Sequence, residues 1–223
     1  MDLNKFSSFY SGLLYDTLRF ELKYKKPFVL EGDIKPLWNF KCPIFGRAFT
    51  CKGQKIRYPH FVIDDIRLDM LSNLKSDTIL IYDTGSNVTS ATFGDITALI
   101  AKLSGCKGAI FDGCTRDINA ITNLQFPVFG KGTIPVDSYG HWQVEYYNKE
   151  IYMKGIDGII CVSPNDYIFG DKDGILIIPN KLINPLYKAA IEKSKKEEEL
   201  RKAIKNSLSS INLIKEYTKR GIH

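Results

Sequence analysis

The chain contains no Cys-x-x-Cys pair. Its five cysteines, Cys42, Cys51, Cys106, Cys114 and Cys161, are odd in number and scattered, which argues against both a disulfide framework and a zinc knuckle and suits a reducing compartment. No apolar run is long enough to span a bilayer. Met1 to Phe6 lack the basic stretch and apolar core of a secretory signal, so the expectation is a soluble, cytoplasmic protein without a membrane partner. No Gly-x-Gly-x-x-Gly follows a strand pattern, which weakens a methyltransferase reading. Repeats and low-complexity segments are also missing.

The composition that remains, 44% hydrophobic and 25% charged over 223 residues, is that of one globular domain, 1–223. Its excess positive charge is confined to one end. Residues 181–223 carry 11 basic and 5 acidic side chains, and the preceding 180 carry 20 of each sign. A nucleic-acid tail is one explanation. The other is a solvated helical segment over about 181–219, because Leu182, Leu186, Ala190 and Ile191 have helical spacing and Lys193 to Arg201 mixes both signs. No aromatic stacking platform interleaves the lysines, so the helical reading is preferred and no nucleic-acid partner is expected.

The stretch 78–117 carries the most chemistry. Thr78 to Tyr82 reads as a buried strand, Asp83 to Ser90 as a loop, and Gly108 to Phe111 as a second strand. Between them Ile96, Leu99, Ile100 and Leu103 recur at helical spacing, with Gly94 and Asp95 at the start and Gly105 as the stop. A right-handed crossover brings both strand ends to one sheet edge, where open α/β sheets bind ligands. Three devices can meet there: the free amides of the helix start, Gly94 to Thr97, the guanidinium of Arg116, and the carboxylate of Asp117. An acid beside an anion site suggests a bridging hard cation such as Mg2+. Each residue also has a simpler role, with Arg116 as a cap for its loop, Asp117 as the favourable acid opening the next helix, and Asp95 as a helix cap.

Elsewhere, residues 7–26 open with a helix capped by Ser7 or Ser8, with Leu13, Leu14, Thr17 and Leu18 on one side and Asp16 as a surface acid. Lys35 to Pro43 reads as irregular chain, Ile44 to Cys51 as a strand, Asp64 to Leu74 as a helix, and Tyr58-Pro59-His60 as a turn whose histidine is exposed rather than catalytic. Ile118 to Leu124 reads as a helix and Pro127 to Phe129 as a strand. Val144 to Met153, Gly158 to Val162, Tyr167 to Gly170 and Gly174 to Ile178 read as later strands. Helices and strands alternate early and strands dominate late, so a layered α/β sandwich is expected instead of a doubly wound sheet.

Asp95, twenty intervening residues and Arg116-Asp117 resemble the Asp-x20-Arg-Asp signature of the class II pyruvate aldolases of the RraA-like family. Gly46 to Thr50 is similar to that family's Gly-x-Ala-x-Thr strand, Phe126 to Gly132 to its Phe-Pro-Val-Phe segment, Pro135 to Ser138 to the stretch just after that segment, and Asp171 to Gly174 to its Gly-Asp-x-Asp-Gly hairpin. Thr97, Cys114-Thr115 and the aromatic stretch Tyr139 to Tyr152, with His141 and Trp142, depart from the pattern. The resemblance implies an α-β-β-α layering (the swivelling β/β/α type), homotrimers or hexamers with sites between subunits, and a Mg2+- or Mn2+-dependent lyase. Its substrates would be small 2-oxo acids: a 4-hydroxy-2-oxo acid of the 4-hydroxy-4-methyl-2-oxoglutarate type, cleaved to pyruvate, and oxaloacetate, decarboxylated through a pyruvate enolate. Gly94 to Thr97 and Arg116 would bind substrate, and Arg116 would stabilise the enolate oxygen. Asp117 would hold the metal, and Asp95 would orient a metal-bound water that takes the C4 hydroxyl proton. One of Glu197, Glu198 and Glu199 would reach a neighbouring subunit's site. The competing implication is a non-catalytic RNase-regulator-type binding protein; that subgroup lacks the acid found here as Asp117.

Overall fold

The computed structural model describes residues 3–40, 43–56, 64–206 and 210–219. Cys42 and the Tyr58-Pro59-His60 turn lie outside them, as do 207–209 and 220–223 of the basic segment. After a 3-10 turn at Leu3–Phe6, helix α1 (Ser11–Asp16) runs into a π-helical turn at Thr17–Glu21. Ser7 and Ser8 do not cap it. The cap comes from 160 residues away: Asp171 accepts from the Ser11 amide at 2.7 Å and from its hydroxyl at 2.8 Å. The helix starts later than expected because Phe6 and Phe9 are buried in the core.

The short strand β1 (Lys35–Pro36) lies within the stretch expected to be irregular, followed by β2 (Ile44–Lys55), α2 (Asp65–Ser72), β3 (Thr78–Asp83) and β4 (Ala91–Phe93). Next come α3 (Asp95–Leu103), β5 (Gly108–Phe111), β6 (Cys114–Thr115) and α4 (Ile118–Asn123). Strands β7 (Val128–Gly130), β8 (Gly132–Thr133) and β9 (Trp142–Tyr147) follow. The hairpins β10 (Ile151–Gly155) with β11 (Gly158–Val162) and β12 (Tyr167–Gly170) with β13 (Ile175–Ile178) precede α5 (Ile183–Lys205) and α6 (Ser210–Lys219). Val144 to Met153 is thus two strands, parted at Asn148, where φ is +52°.

Among the described residues eight strands form the main sheet, in the order β1-β7-β5-β3-β2-β12-β13, with β9 also paired to β2. Its centre, β2-β3-β5-β7, is parallel. Strand β3 is buried at all six positions because both faces are covered. Ile79 and Ile81 pack with Ile151, Met153, Ile160 and Val162 of the β10-β11 hairpin. Leu80 and Tyr82 point the other way, against Met70, Ala98, Ala101 and Ile121 of α2, α3 and α4. On that same side, Leu13 and Leu14 of α1, Leu18 of the π-helical turn, and Leu186 and Ala190 of α5 cover β12 and β13. The result is the layered mixed α/β fold expected from the sequence, with helices on one sheet face and a β layer on the other. No helix among the described residues is long and apolar enough to cross a membrane.

A second, smaller sheet is what positions the site. β4, β6 and β8 form a three-stranded parallel sheet, and β6 and β8 continue the chain just past the carboxyl ends of β5 and β7. Each of its strands therefore ends in the crevice where α/β sheets present ligand-binding groups.

Candidate active site

Strand β4 delivers Gly94 and Asp95, β6 delivers Arg116 and Asp117, and β8 delivers Ile134 to Asp137. Backbone bonds lock these three exits together: the Arg116 amide donates to the Phe93 carbonyl at 3.1 Å, Ile134 to Thr115 at 2.9 Å, and Ala91 to Val136 at 2.7 Å. The buried Asp112, at the end of β5, accepts from the amides of Thr84 (2.6 Å) and Ser86 (2.9 Å) and from the Thr84 hydroxyl (2.7 Å). It orders the 84–87 turn and so serves the scaffold.

The three exits enclose a cavity of about 200 Å³ whose wall includes Gly94, Asp95, Ile96, Thr97, Arg116 and Asp117. All six residues singled out by the sequence are there. Asp95, Arg116 and Asp117 also line a wider groove of about 560 Å³ with Asn119 and Ile134. Helix α3 begins at Asp95 with Gly94 as its cap residue, which has no side chain to cap it, so the amides of Asp95 and Thr97 are left to a ligand. Asp95 Oδ1 accepts from the adjacent Ile96 amide at 2.8 Å. At the far end the chain turns left-handed at Gly105, whose amide and that of Cys106 donate to Lys102 and Ala101 carbonyls and close the helix.

Arg116 lies between two acids. Its Nε is 3.2 Å from Asp117 Oδ2 and its Nη1 3.5 Å from Asp137 Oδ2. The Arg116 and Asp117 side chains are 41% and 37% exposed, so these pairs add little to stability and mainly orient the groups. Asp117 is the residue before α4 and has φ +60°, ψ +32°, without capping that helix. Aspartate tolerates this left-handed region, because its short polar side chain can bond locally, and here it turns the chain between β6 and α4. Gly94 permits the arrangement: a Cβ there would lie 3.0 Å from Asp117 Oδ2. The carboxylates available to a cation at this cavity are Asp95, Asp117 and Asp137.

The α5 glutamates lie away from this cavity in their own chain. Glu197 is buried, accepting from Arg201 Nη2 at 2.9 Å and from the Tyr10 hydroxyl, while Glu198 and Glu199 are exposed on α5. The α3 residues that recur at helical spacing face outward, with Ile96 71% and Leu103 79% exposed, and the helix packs through Ala98 and Ala101. Sequence reasoning assigned no role to the rest of the cavity wall, which includes Arg67, Thr92, Asp137, Ser138 and Tyr139. The only local signal was an Asp-Ser pair following Ile134-Pro135. Arg67 looks like an ordinary helix-surface charge.

A family model described as "RraA-like: Aldolase/RraA" matches residues 14–177, which include every residue of the cavity. An uncharacterized protein of Methanocaldococcus jannaschii is 28% identical over 174 residues, 78% of each chain. A Halalkalibacterium halodurans protein named "Putative 4-hydroxy-4-methyl-2-oxoglutarate aldolase" is 29% identical over 145 residues, 65% of each chain. The crystal structure of Streptomyces coelicolor RraAS2, described as an unusual member of the RNase ES inhibitor RraA protein family, shares the fold with a TM-score of 0.77 at 19% identity, over 91% of this chain and 97% of its own. With its Asp95, Arg116 and Asp117 gathered on one cavity and the family model spanning most of its length, this chain belongs to the RraA-like family.

Proposed function

We propose that the protein is a divalent-metal-dependent lyase that cleaves 4-hydroxy-2-oxo acids to pyruvate and decarboxylates oxaloacetate. The observation that carries this reading is the meeting of Arg116, the left-handed Asp117 and the uncapped start of α3 on one cavity. The names carried by relatives such as that of H. halodurans support the same reaction class.

Arg116 binds the substrate's C1 carboxylate and places its positive charge beside the C2 oxygen. As the C3–C4 bond breaks, electrons move onto that oxygen, and a fixed cation there stabilises the developing enolate more than the ground state. The amides at the start of α3 add donors to the same anion. Asp95, through a water, takes the C4 hydroxyl proton that starts cleavage. Decarboxylation breaks the corresponding bond with loss of CO2 and requires no base at that position. Protonation of the enolate at C3 yields pyruvate.

The donors suit a hard ion. Among the described residues no three His, Cys, Asp or Glu side chains form a protein-only cage, and Mg2+ typically takes one or two carboxylates and fills its other positions with water and substrate oxygens. Asp117, set in the gap at Gly94, would hold Mg2+ or Mn2+, which supplies Lewis acidity at the C2 carbonyl when bound. The exposed Ile96, Leu99 and Leu103 beside the site are where we place a neighbouring subunit of a homotrimer or hexamer, a state that light scattering measures directly.

The test is pyruvate release from 4-hydroxy-4-methyl-2-oxoglutarate and from oxaloacetate, with Mg2+ and then with EDTA. Turnover that EDTA abolishes and Mg2+ restores is expected, and Asp117→Ala should lose it while still melting cooperatively. Absence of turnover from the folded protein, or turnover indifferent to EDTA and to Asp117→Ala, overturns the reading.

A further inference from the structure

A second guanidinium lines the cavity. Arg67 stands in the first turns of α2, and three contacts hold it: its Nε is 3.2 Å from Asp64 Oδ2, its Nη1 donates to Ser138 Oγ at 3.1 Å, and its guanidinium carbon lies 5.5 Å from the Trp142 ring centroid. Trp142 is itself pinned. Its Nε1 donates to the Thr84 carbonyl at 3.1 Å, and its ring lies so close to Gly53 that a Cβ there would sit 2.0 Å from it.

Two polar groups of this wall are unspent. Arg67 Nη2 and Thr92 Oγ1 are both buried without a hydrogen-bond partner among the described residues. Thr92 is 3% exposed, and both residues line the cavity that contains Arg116. Buried donors left without partners are costly in proteins and seldom persist unless something fills them. The two arginines are also tied to one segment: Asp137 pairs with Arg116 and the next residue, Ser138, accepts from Arg67.

We propose that Arg67, with Thr92 and Ser138 beside it, is the specificity-determining residue that binds a second carboxylate, so that the site prefers 2-oxo dicarboxylates to 2-oxo monocarboxylates. The inference rests on the lyase reading for the orientation of the ligand, with the C1 carboxylate at Arg116 and the distal one at Arg67. The wall also contains Asp95, Asp117 and Asp137, so a dianion needs both arginines and the divalent cation to offset these charges.

Calorimetry with Mg2+ tests this without turnover, using 2-oxoglutarate and 2-oxopentanoate, which share a chain length and differ in the distal carboxylate. The wild-type protein should bind 2-oxoglutarate about ten-fold or more tightly, as a charge-assisted contact allows. Arg67→Gln should bring the two within about three-fold by weakening 2-oxoglutarate, and Arg67→Lys should recover part of the preference. Thr92→Val, close to isosteric, should also weaken 2-oxoglutarate selectively, which keeps the test open if Arg67 variants disturb Trp142. Equal binding of the two acids by wild type, or an undiminished preference in folded Arg67→Gln and Thr92→Val, overturns the proposal. Failure of the lyase assay with this binding pattern intact would overturn only the catalytic reading.

Discussion

Arg116 and Arg201 each stand beside acidic side chains, and their two clusters do different things. At one end Arg116 lies between Asp117 and Asp137 on the wall of open space. At the other, Arg201 of α5 donates to Glu197 at 2.9 Å and to the Tyr10 hydroxyl at 3.0 Å, joining the two terminal helical regions. Glu197 is spent on partners from its own chain and its side chain is 11% exposed. Nearby Lys193, buried on α5, lies 3.7 Å from Asp16 at the end of α1. Residue types do not distinguish the clusters. What differs is the space beside them: the first lines a cavity together with the start of α3, whereas in the second the buried Glu197 carboxylate is taken up by Arg201 and Tyr10 of its own chain.

That contrast is easiest to break at Arg116. Arg116→Lys keeps the charge and loses the planar fork, so turnover of a 4-hydroxy-2-oxo acid should fall by roughly 10²-fold or more, with an unchanged urea midpoint. Wild-type turnover would make Arg116 structural, like Arg201. Glu197→Gln should do the reverse. It weakens a charge-assisted cluster whose arginine is half exposed, and should lower unfolding stability by about 1 kcal/mol in urea titrations, with kcat unchanged. Lost turnover at unchanged stability would mean that Glu197 serves a site on another subunit.

The smallest effect is in pH. Burial, then the bond to Glu197, pushes the Tyr10 hydroxyl above its ordinary value. A group raised in the folded state contributes stability that is complete below the unfolded pKa, about 10 for tyrosine, and is lost as pH rises beyond it. Melting temperature should therefore decline above about pH 10, and Tyr10→Phe should flatten part of that decline. Tyr82, raised much further by complete burial, acts with the same sign in both proteins, so their difference isolates the α1–α5 clamp. Superimposable pH profiles would show that the Tyr10 bond contributes nothing.

The α3 region was legible because its signals are local. Gly94, Asp95 and Gly105 bound a helix whose observed limits, Asp95–Leu103, match that punctuation, and the flanking apolar runs are β3 and β5. Strands β4, β6 and β8 were not legible. They are two or three residues long, too short for any period to register, and they exist because the main sheet lines up the segments that carry them. The cap on α1 escaped for a related reason, since Asp171 is distant in sequence and Ser7 and Ser8 are close.

From its sequence alone the chain specified a layered α/β fold, the boundaries of its central crossover, and the trio Asp95, Arg116 and Asp117, because strand and helix periods and a fixed spacing are properties of order along the chain. Only the tertiary structure decided which charges share a space. Arg67 reached the cavity and Glu197 was drawn into the α1–α5 clamp because packing against Trp142 and Tyr10, 75 and 187 residues away, sets where a long charged side chain can point.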